Sequence, residues 1–231
     1  MMLTGTLPYP SKLFGRTRAG LPLEYFTGSV QEKRKGGLLL IAGIHGEEAD
    51  GVFVLSRALR ACAALRNCAV VLCANPEGLL RGTRANGRGV DLNRNFPSRN
   101  WRPQPVMVRS FVDGPRDLAL SPGDSPSSEP ETHHLLALLC ELKPDHIISI
   151  HSPLGCVDAP KENRLADFLA AKTGLQRVCE IGYETPGSFG SWAAENGHGL
   201  VTFELPKQGG EDLVRNYSPV FAGLMENGMD G

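Results

Sequence analysis

His45 and Glu48 lie three residues apart, at the point where an apolar run gives way to a helical pattern. This spacing lets an imidazole and a carboxylate converge on one ion, and zinc prefers histidine nitrogen and carboxylate oxygen as ligands. Catalytic zinc sites usually take three protein ligands and keep a fourth position open for water. The pair alone is a weak signal, because the same residues could cap a helix, so a third ligand from a distant segment is required.

A candidate for that third ligand, His151, ends the apolar run 147–150. We expect this run to be a buried parallel strand, and open α/β sheets place their sites at the carboxyl ends of such strands. His45 follows another apolar run, 38–41, in the same way. The sequence therefore predicts that His45, Glu48 and His151 meet at one edge of a sheet.

Alternating strands and helices must position these side chains. Helical spacing of apolar residues predicts helices over 48–65, 129–142 and 165–173. Short apolar runs predict strands over 38–41, 69–73, 146–151 and 200–203. This alternation favours an α/β fold with a mostly parallel or mixed central sheet and helices on both faces. The proline-rich stretch 100–128 predicts a long ordered loop that roofs a site.

Size and charge narrow the class of protein. The chain has 231 residues, 41% of them hydrophobic and 21% charged, which is typical of one folded globular domain over 1–231. Its formal net charge of −1 comes without a block of like charges. We therefore expect no nucleic-acid partner and no membrane partner. We expect a monomer or a homodimer.

Three features predict a cytoplasmic protein. The first fifteen residues lack both a basic region and a continuous apolar region, so they are not interpreted as a signal peptide. The longest apolar run, 38–44, is too short to cross a bilayer. Six cysteines without a C-x-x-C pair fit reduced thiols.

Six short motifs in order between about residues 38 and 206 carry a family resemblance. They are H-x-x-E from His45, N-P-E-G from Asn75, R-x-x-R from Arg81, D-x-N-R-N from Asp91, I-H-S from Ile150 and F-E-L from Phe203. In this order they resemble the zinc carboxypeptidase family. The resemblance implies the fold of that family, one Zn²⁺ ion held by His45, Glu48 and His151, and hydrolysis of a peptide bond.

The resemblance also implies further roles. Glu204 matches the general base that takes a proton from the attacking water and later delivers it to the leaving amine. Arg81 aligns with the arginine that polarises the scissile carbonyl. Asn93 and Arg94 match the pair that grips the terminal carboxylate of the substrate, a task suited to the planar arginine fork. Asp91 resembles the carboxylate that orients the first zinc histidine.

Two stretches of the sequence resemble one particular branch of the family. Residues 79–101 and 182–192 resemble the branch that cuts the γ-D-glutamyl–meso-diaminopimelate bond of murein tripeptide, L-Ala-γ-D-Glu-meso-DAP, in cell-wall peptide recycling. In the second stretch, Tyr183 resembles the mobile tyrosine that covers bound substrate, and small residues such as Gly190 would leave room for the diaminopimelate side chain. Glu47 stands where digestive members have arginine, which argues against ordinary peptide substrates.

Two other functions remain as alternatives. A deacylase of the succinylglutamate desuccinylase/aspartoacylase type would share the metal ligands but hydrolyse an N-acyl amino acid. The stretch from Tyr183 to Trp192 argues against it. A non-catalytic protein that binds a cell-wall peptide would need no base and no polarising arginine, so the presence of Glu204 and Arg81 argues against that alternative.

Overall fold

The computed structural model describes residues 9–28, 37–110, 112, 114–179 and 184–230. Within these ranges the strands are β1 (Ser11–Arg16), β2 (Pro22–Thr27), β3 (Leu38–Ala42), β4 (Cys68–Val71), β5 (Val106–Ser110), β6 (Arg116–Leu120), β7 (His146–His151), β8 (Leu154–Asp158), β9 (Gln176–Val178) and β10 (Gly199–Pro206). The α-helices are α1 (Ala49–Ala61), α2 (Pro76–Arg81), α3 (Pro130–Leu142), α4 (Arg164–Thr173), α5 (Phe189–Glu195) and α6 (Gly210–Asn227). Short 3₁₀ helices cover Leu92–Arg94 and Gly228–Asp230.

One mixed sheet contains eight of the described strands, in the order β1-β2-β4-β3-β7-β10-β8-β9. The central strands β4, β3, β7 and β10 run parallel. Antiparallel pairing occurs toward both sides, where β2 meets β4 and β8 meets β10. The structure confirms the predicted mostly parallel, mixed sheet, and its four central strands are those predicted from apolar runs.

Helices cover both faces of this sheet because successive residues of a strand point to opposite sides. Leu40 and Ala42 of β3 pack in a core with α1, α4 and α6. Leu39 and Ile41 of the same strand pack in a second core with α3 and α5. All four side chains are fully buried. Strand β3, which leads to His45, therefore cannot shift without disturbing both cores.

The predicted helices are confirmed with small shifts in their ends. Helix α1 begins one residue later than expected and ends at Ala61, four residues earlier. Helices α3 and α4 agree with the predictions to within one residue. Among the described residues, no helix combines the length and the apolar character that crossing a bilayer requires.

The predicted loop over 100–128 contains a β-hairpin. Strands β5 and β6 pair antiparallel in a separate two-stranded sheet. Val108 and Ser110 are buried while Met107 is 66% exposed, which is the period-two pattern of a strand. The expectation of a loop was wrong because the prolines of this stretch lie outside both strands, where they do not remove a ladder hydrogen bond.

Candidate active site

The carboxyl ends of three parallel strands bring the predicted residues together. Strand β3 pairs with β7 through Ala42↔Ile150, and His45 follows three residues after the end of β3. Strand β7 pairs with β10 through His151↔Glu204. His45, His151 and Glu204 therefore lie at one edge of the sheet, as the sequence predicted.

The ligand atoms of His45, Glu48 and His151 converge on one point. Glu48 Oε1 lies 2.7 Å from His45 Nδ1, Glu48 Oε2 lies 2.9 Å from His151 Nδ1, and the two Nδ1 atoms are 3.1 Å apart. All three residues are buried. Among the described residues, this is the one group of histidine, cysteine and acidic side chains close enough to hold a metal ion. Two imidazoles and a carboxylate suit a transition metal.

The second ring nitrogen of each histidine faces a partner of its own. His151 Nε2 lies 2.9 Å from Ser149 Oγ. His45 Nε2 lies 3.4 Å from Asp91 Oδ1, a contact longer than a normal hydrogen bond. Metal-binding histidines are usually held in this way, because the outer contact orients the ring and leaves the inner nitrogen for the ion. The residues therefore fit a metal ion bound through both Nδ1 atoms and Glu48.

The carboxylates of this centre are held in the charged form. Burial alone would raise the pKa of Glu48, but the neighbouring rings of His45 and His151 outweigh it and hold that pKa below its usual range. Burial likewise opposes ionisation of Asp91, yet the guanidinium of Arg84 and the ring of His45 hold its pKa well below normal. An ionised carboxylate is the form that binds or supports a cation.

The R-x-x-R motif contributes its second arginine to the centre, which corrects the prediction for Arg81. Arg81 is half exposed at the end of α2, and its Nη1 lies 3.2 Å from Oε2 of Glu77, one helical turn earlier. Arg84 is largely buried, donates from Nε to Asp91 Oδ2 at 3.0 Å, and has Nη1 3.6 Å from Glu48 Oε1. Motif position alone could not separate the two arginines, because both belong to the same four residues.

Glu204 lines the cavity in front of the metal ligands. Burial raises the pKa of Glu204 to about 7, with the ring of His151 opposing the shift and the charge of Glu48 adding to it. Its Oε2 accepts a long hydrogen bond of 3.5 Å from the Leu154 N–H. A carboxyl group with a pKa near neutrality can accept a proton and return it, as a general base and acid must.

Asn93 and Arg94 lie beside the start of α5. Asn93 Oδ1 accepts a hydrogen bond of 2.8 Å from the Phe189 N–H, at the start of α5. Arg94 is buried and donates to the Asn93 carbonyl at 2.7 Å. Neither is among the described residues that line the cavity with Glu204. Their predicted contact with a terminal carboxylate stays a prediction, and the structure assigns them a place next to the centre rather than within it.

The small residues before Trp192 differ in the space around them. Tyr183 lies outside the described residues, so its predicted role stays a prediction. Gly187 has φ +68°, and a side chain there would come within 2.3 Å of the Arg94 carbonyl oxygen. The interpretation that this stretch leaves an open pocket is therefore wrong for Gly187. Gly190, by contrast, has only the Ser188 hydroxyl near its missing Cβ, at 3.7 Å.

One cavity joins these groups and gives the site its chemical capacity. About 410 Å³ of space, open to solvent, lies between the metal ligands and the β5–β6 hairpin. Its lining includes the ligands His45 and Glu48, the base candidate Glu204, the cation Arg84 and, from the hairpin, Arg109. Such a site can hold an ion, polarise a carbonyl group and supply a base to an attacking water, which are the requirements for hydrolysis of an amide bond.

This chain is similar to known proteins over nearly its whole length, in sequence and in structure. Murein peptide amidase A of Escherichia coli strain K12 is 40% identical over 223 residues, which is 96% of this chain and 91% of that protein. The crystal structure of a murein-tripeptide amidase from Escherichia coli O157 matches with a TM-score of 0.87 and 39% identity, covering 97% of this chain and 98% of that chain. Identity and coverage of this size show shared family membership.

More distant similarities concern the fold and one segment. A carboxypeptidase A from Helicoverpa armigera matches with a TM-score of 0.74 at 17% identity, covering 94% of this chain and 67% of that chain, which shows a shared fold. The family described as succinylglutamate desuccinylase/aspartoacylase catalytic domain matches residues 35–109. That segment contains His45 and Glu48 but neither His151 nor Glu204, so it supports the deacylase alternative only in part.

Gly46 provides a test of how the metal ligands are positioned. A Cβ at Gly46 would lie 2.0 Å from the Gly78 carbonyl carbon and 2.3 Å from the Leu79 nitrogen. Because these are backbone atoms of α2, we expect Gly46→Ala to displace the turn between His45 and Glu48. Affinity for zinc, measured by competition with a chromogenic chelator, should fall at least about tenfold.

The matched control is Gly223→Ala in α6, where a Cβ would meet no atom within 4 Å. This variant should bind zinc normally and be equally stable or more stable by about 0.5–1 kcal/mol, because alanine favours a helix over glycine. Normal zinc affinity in a folded Gly46→Ala protein would show that this close packing does not set the ligand geometry.

Proposed function

The chain belongs to the murein peptide amidase A family, and we propose that it hydrolyses the γ-D-glutamyl–meso-diaminopimelate bond of murein tripeptide. The products would be free diaminopimelate and the dipeptide of L-alanine and D-glutamate. The observation that carries the proposal is the convergence of His45, Glu48 and His151 in front of a buried base, Glu204. The near full-length likeness to a murein-tripeptide amidase supplies the substrate class.

We propose zinc as the metal, as one ion bound by His45, Glu48 and His151. The donor set supports this choice, because catalytic zinc sites combine two histidines and a glutamate with a position left open for water. When bound, zinc supplies a Lewis acid for the scissile carbonyl and lowers the pKa of water. Glu48 is held in its ionised form, and Nε2 of each histidine ring already faces a side chain of its own. The three residues are therefore prepared to bind the zinc ion.

The residues around the metal divide the remaining work. Glu204 takes a proton from the attacking water and returns it to the amine of the departing diaminopimelate, which its pKa of about 7 suits. Arg84 presents a fixed positive charge to the oxygen on which negative charge develops. Asp91 holds Arg84 in place through the hydrogen bond to its Nε. Asn93 and Arg94 receive the terminal carboxylate of the diaminopimelate residue.

Three further proposals concern the protein as a whole. The entire chain, 1–231, acts as one catalytic domain. The eight-stranded sheet supports this proposal, because it contains both the first described strand, β1, and the last, β10. The protein works in the cytoplasm, because its six cysteines are free thiols, as is usual in a reducing compartment. Its partner is a small peptide, which the amidase relatives support.

Release of free diaminopimelate tests the function directly. Purified zinc-loaded protein incubated with murein tripeptide should release diaminopimelate, detected by mass spectrometry. A parallel sample stripped with a chelator should release none until zinc is restored. If the tripeptide stays intact while N-succinylglutamate or N-acetylaspartate is cleaved, the deacylase alternative is correct instead.

Replacement of the base separates catalysis from metal binding. We expect Glu204→Gln to retain one zinc ion per chain, because Glu204 is not among the three ligands. Its kcat should fall by about 10²–10⁴, since the neutral amide cannot accept a proton. Metal content is measured by atomic absorption and turnover by diaminopimelate release. A kcat close to that of the wild type would show that another group is the base.

The two arginines of the R-x-x-R motif provide a matched pair of variants. Arg84→Gln should lower kcat by about 10²–10³, as loss of a charge at the developing oxyanion does. Arg81→Gln should stay within about twofold of the wild type, because Arg81 makes a half-exposed ion pair on α2. Zinc content is measured for both variants, so that loss of metal is not mistaken for loss of the charge. Equal losses in the two variants would contradict the assignment.

A further inference from the structure

The β5–β6 hairpin is fastened to the metal-ligand loop by one carboxylate. Glu47, next to the ligand Glu48, is buried. Its Oε1 accepts a hydrogen bond from Ser110 Oγ at 3.2 Å, and its Oε2 lies 3.3 Å from Arg116 Nη2. Ser110 and Arg116 are cross-strand partners in the hairpin. A single side chain therefore holds both strands, and the ligand loop fixes the position of the hairpin above the metal centre.

The hairpin lines the cavity in front of the centre. Val108, Arg109 and Ser110 line the cavity that also contains Glu204. Asn93 is not among the described residues that line this cavity, and its side chain bonds to the start of α5. If the terminal carboxylate of the diaminopimelate residue binds beside Asn93, as the proposed function has it, the space under the hairpin receives the acyl half of the substrate.

The acyl half of murein tripeptide carries an unusual charge. The scissile bond uses the side-chain carboxyl of D-glutamate, so the α-carboxylate of that residue is free and ionised at neutral pH. An ordinary peptide uses the α-carboxyl in the bond and has no such group. A cation under the hairpin would therefore distinguish the γ-linked peptide from ordinary peptides.

Arg109 is the cation that the hairpin itself contributes to this cavity. Its Nη1 donates to Asp117 Oδ1 on the partner strand at 2.8 Å, and both side chains are more than half exposed. This exposed pair is weak, and it occupies one of the five N–H donors of the guanidinium. Arg84 is already engaged by Asp91 beside the metal ligands. Of the two arginines that line the cavity, Arg109 is therefore the one that we expect to bind the carboxylate of the acyl half.

We propose that Arg109 binds the free α-carboxylate of the D-glutamyl residue and that Glu47 positions Arg109 by holding the hairpin. Arg109 is then a specificity residue for γ-linked substrates, and Glu47 is a positioning residue that acts through it. This inference rests on the proposed function, because it names the part of the same substrate that the hairpin recognises.

A pair of peptides tests the role of Arg109. One is murein tripeptide, and the other carries D-isoglutamine, in which a carboxamide of nearly the same shape replaces the free carboxylate. Wild-type protein should cleave the carboxylate peptide with a kcat/KM about 10–100-fold higher, as expected for a hydrogen bond to a charged group. Arg109→Gln should remove this preference, mainly by raising KM for the carboxylate peptide, and should leave kcat/KM for the carboxamide peptide within about twofold.

Arg215→Gln is the control, because Arg215 is also an exposed, ion-paired arginine but lies on α6, and it should keep the full preference. Equal losses on both peptides in Arg109→Gln, or no loss on either, would overturn the inference while the amidase function stands. Wild-type protein that cleaves neither peptide would overturn the proposed function and the inference with it.

Glu47→Gln tests the positioning role. It should lower the preference for the carboxylate peptide while zinc content stays normal. In the Arg109→Gln background it should change the kcat/KM for the carboxylate peptide by less than about twofold, because the two residues act through one contact. A purely structural role would instead lower kcat on both peptides and add to the effect of Arg109→Gln, which would refute the proposal for Glu47.

Discussion

The buried carboxylate of Asp91 is the interaction on which the rest of the site depends. It faces the outer nitrogen of His45, binds Nε of Arg84 and accepts the Asn93 N–H at 2.8 Å. Its own N–H donates to the Ser121 carbonyl at the base of the hairpin. A fully buried charge costs several kcal/mol unless it is paired, so these contacts must be satisfied together. One residue thereby fixes His45, Arg84 and the start of the segment that contains Asn93.

The charges of the centre are balanced around the place for the ion. Arg84 lies between two buried acidic groups, with its Nη1 3.6 Å from Glu48 and 4.0 Å from Glu47. Glu47 is also neutralised by Arg116 from the hairpin. The carboxylates of Glu47, Glu48 and Asp91 therefore share the positive charges of Arg84 and Arg116 around the place for the ion. Among the described residues, no cationic side chain lies at hydrogen-bond distance from Glu204, so that burial can raise its pKa.

Much of the fold and the metal site could be predicted from the sequence because their signals are local. Apolar runs predicted the four central strands, and three of these strands bring His45, His151 and Glu204 to one edge of the sheet. The outer elements were harder to recognise. Helix α6 lies beyond the last motif, and the hairpin strands are short and flanked by prolines. The motif R-x-x-R contains two arginines. Only the structure shows that Arg81 forms an ion pair with Glu77 on α2 and does not contact the metal-ligand residues.

The sequence by itself therefore predicted the three residues that converge at the candidate metal site, the parallel core of the sheet and the family, since each depends on side-chain types at fixed short spacings. Tertiary structure decided the rest. Glu47 meets Ser110 and Arg116 across 63 and 69 residues of chain, and no periodicity relates such distant positions. The exposure of Arg81, the burial of Arg84 and the place of Arg109 in the cavity lining likewise depend on how the hairpin and α2 pack against the sheet edge. Side-chain direction is a property of that packing, and sequence spacing does not contain it.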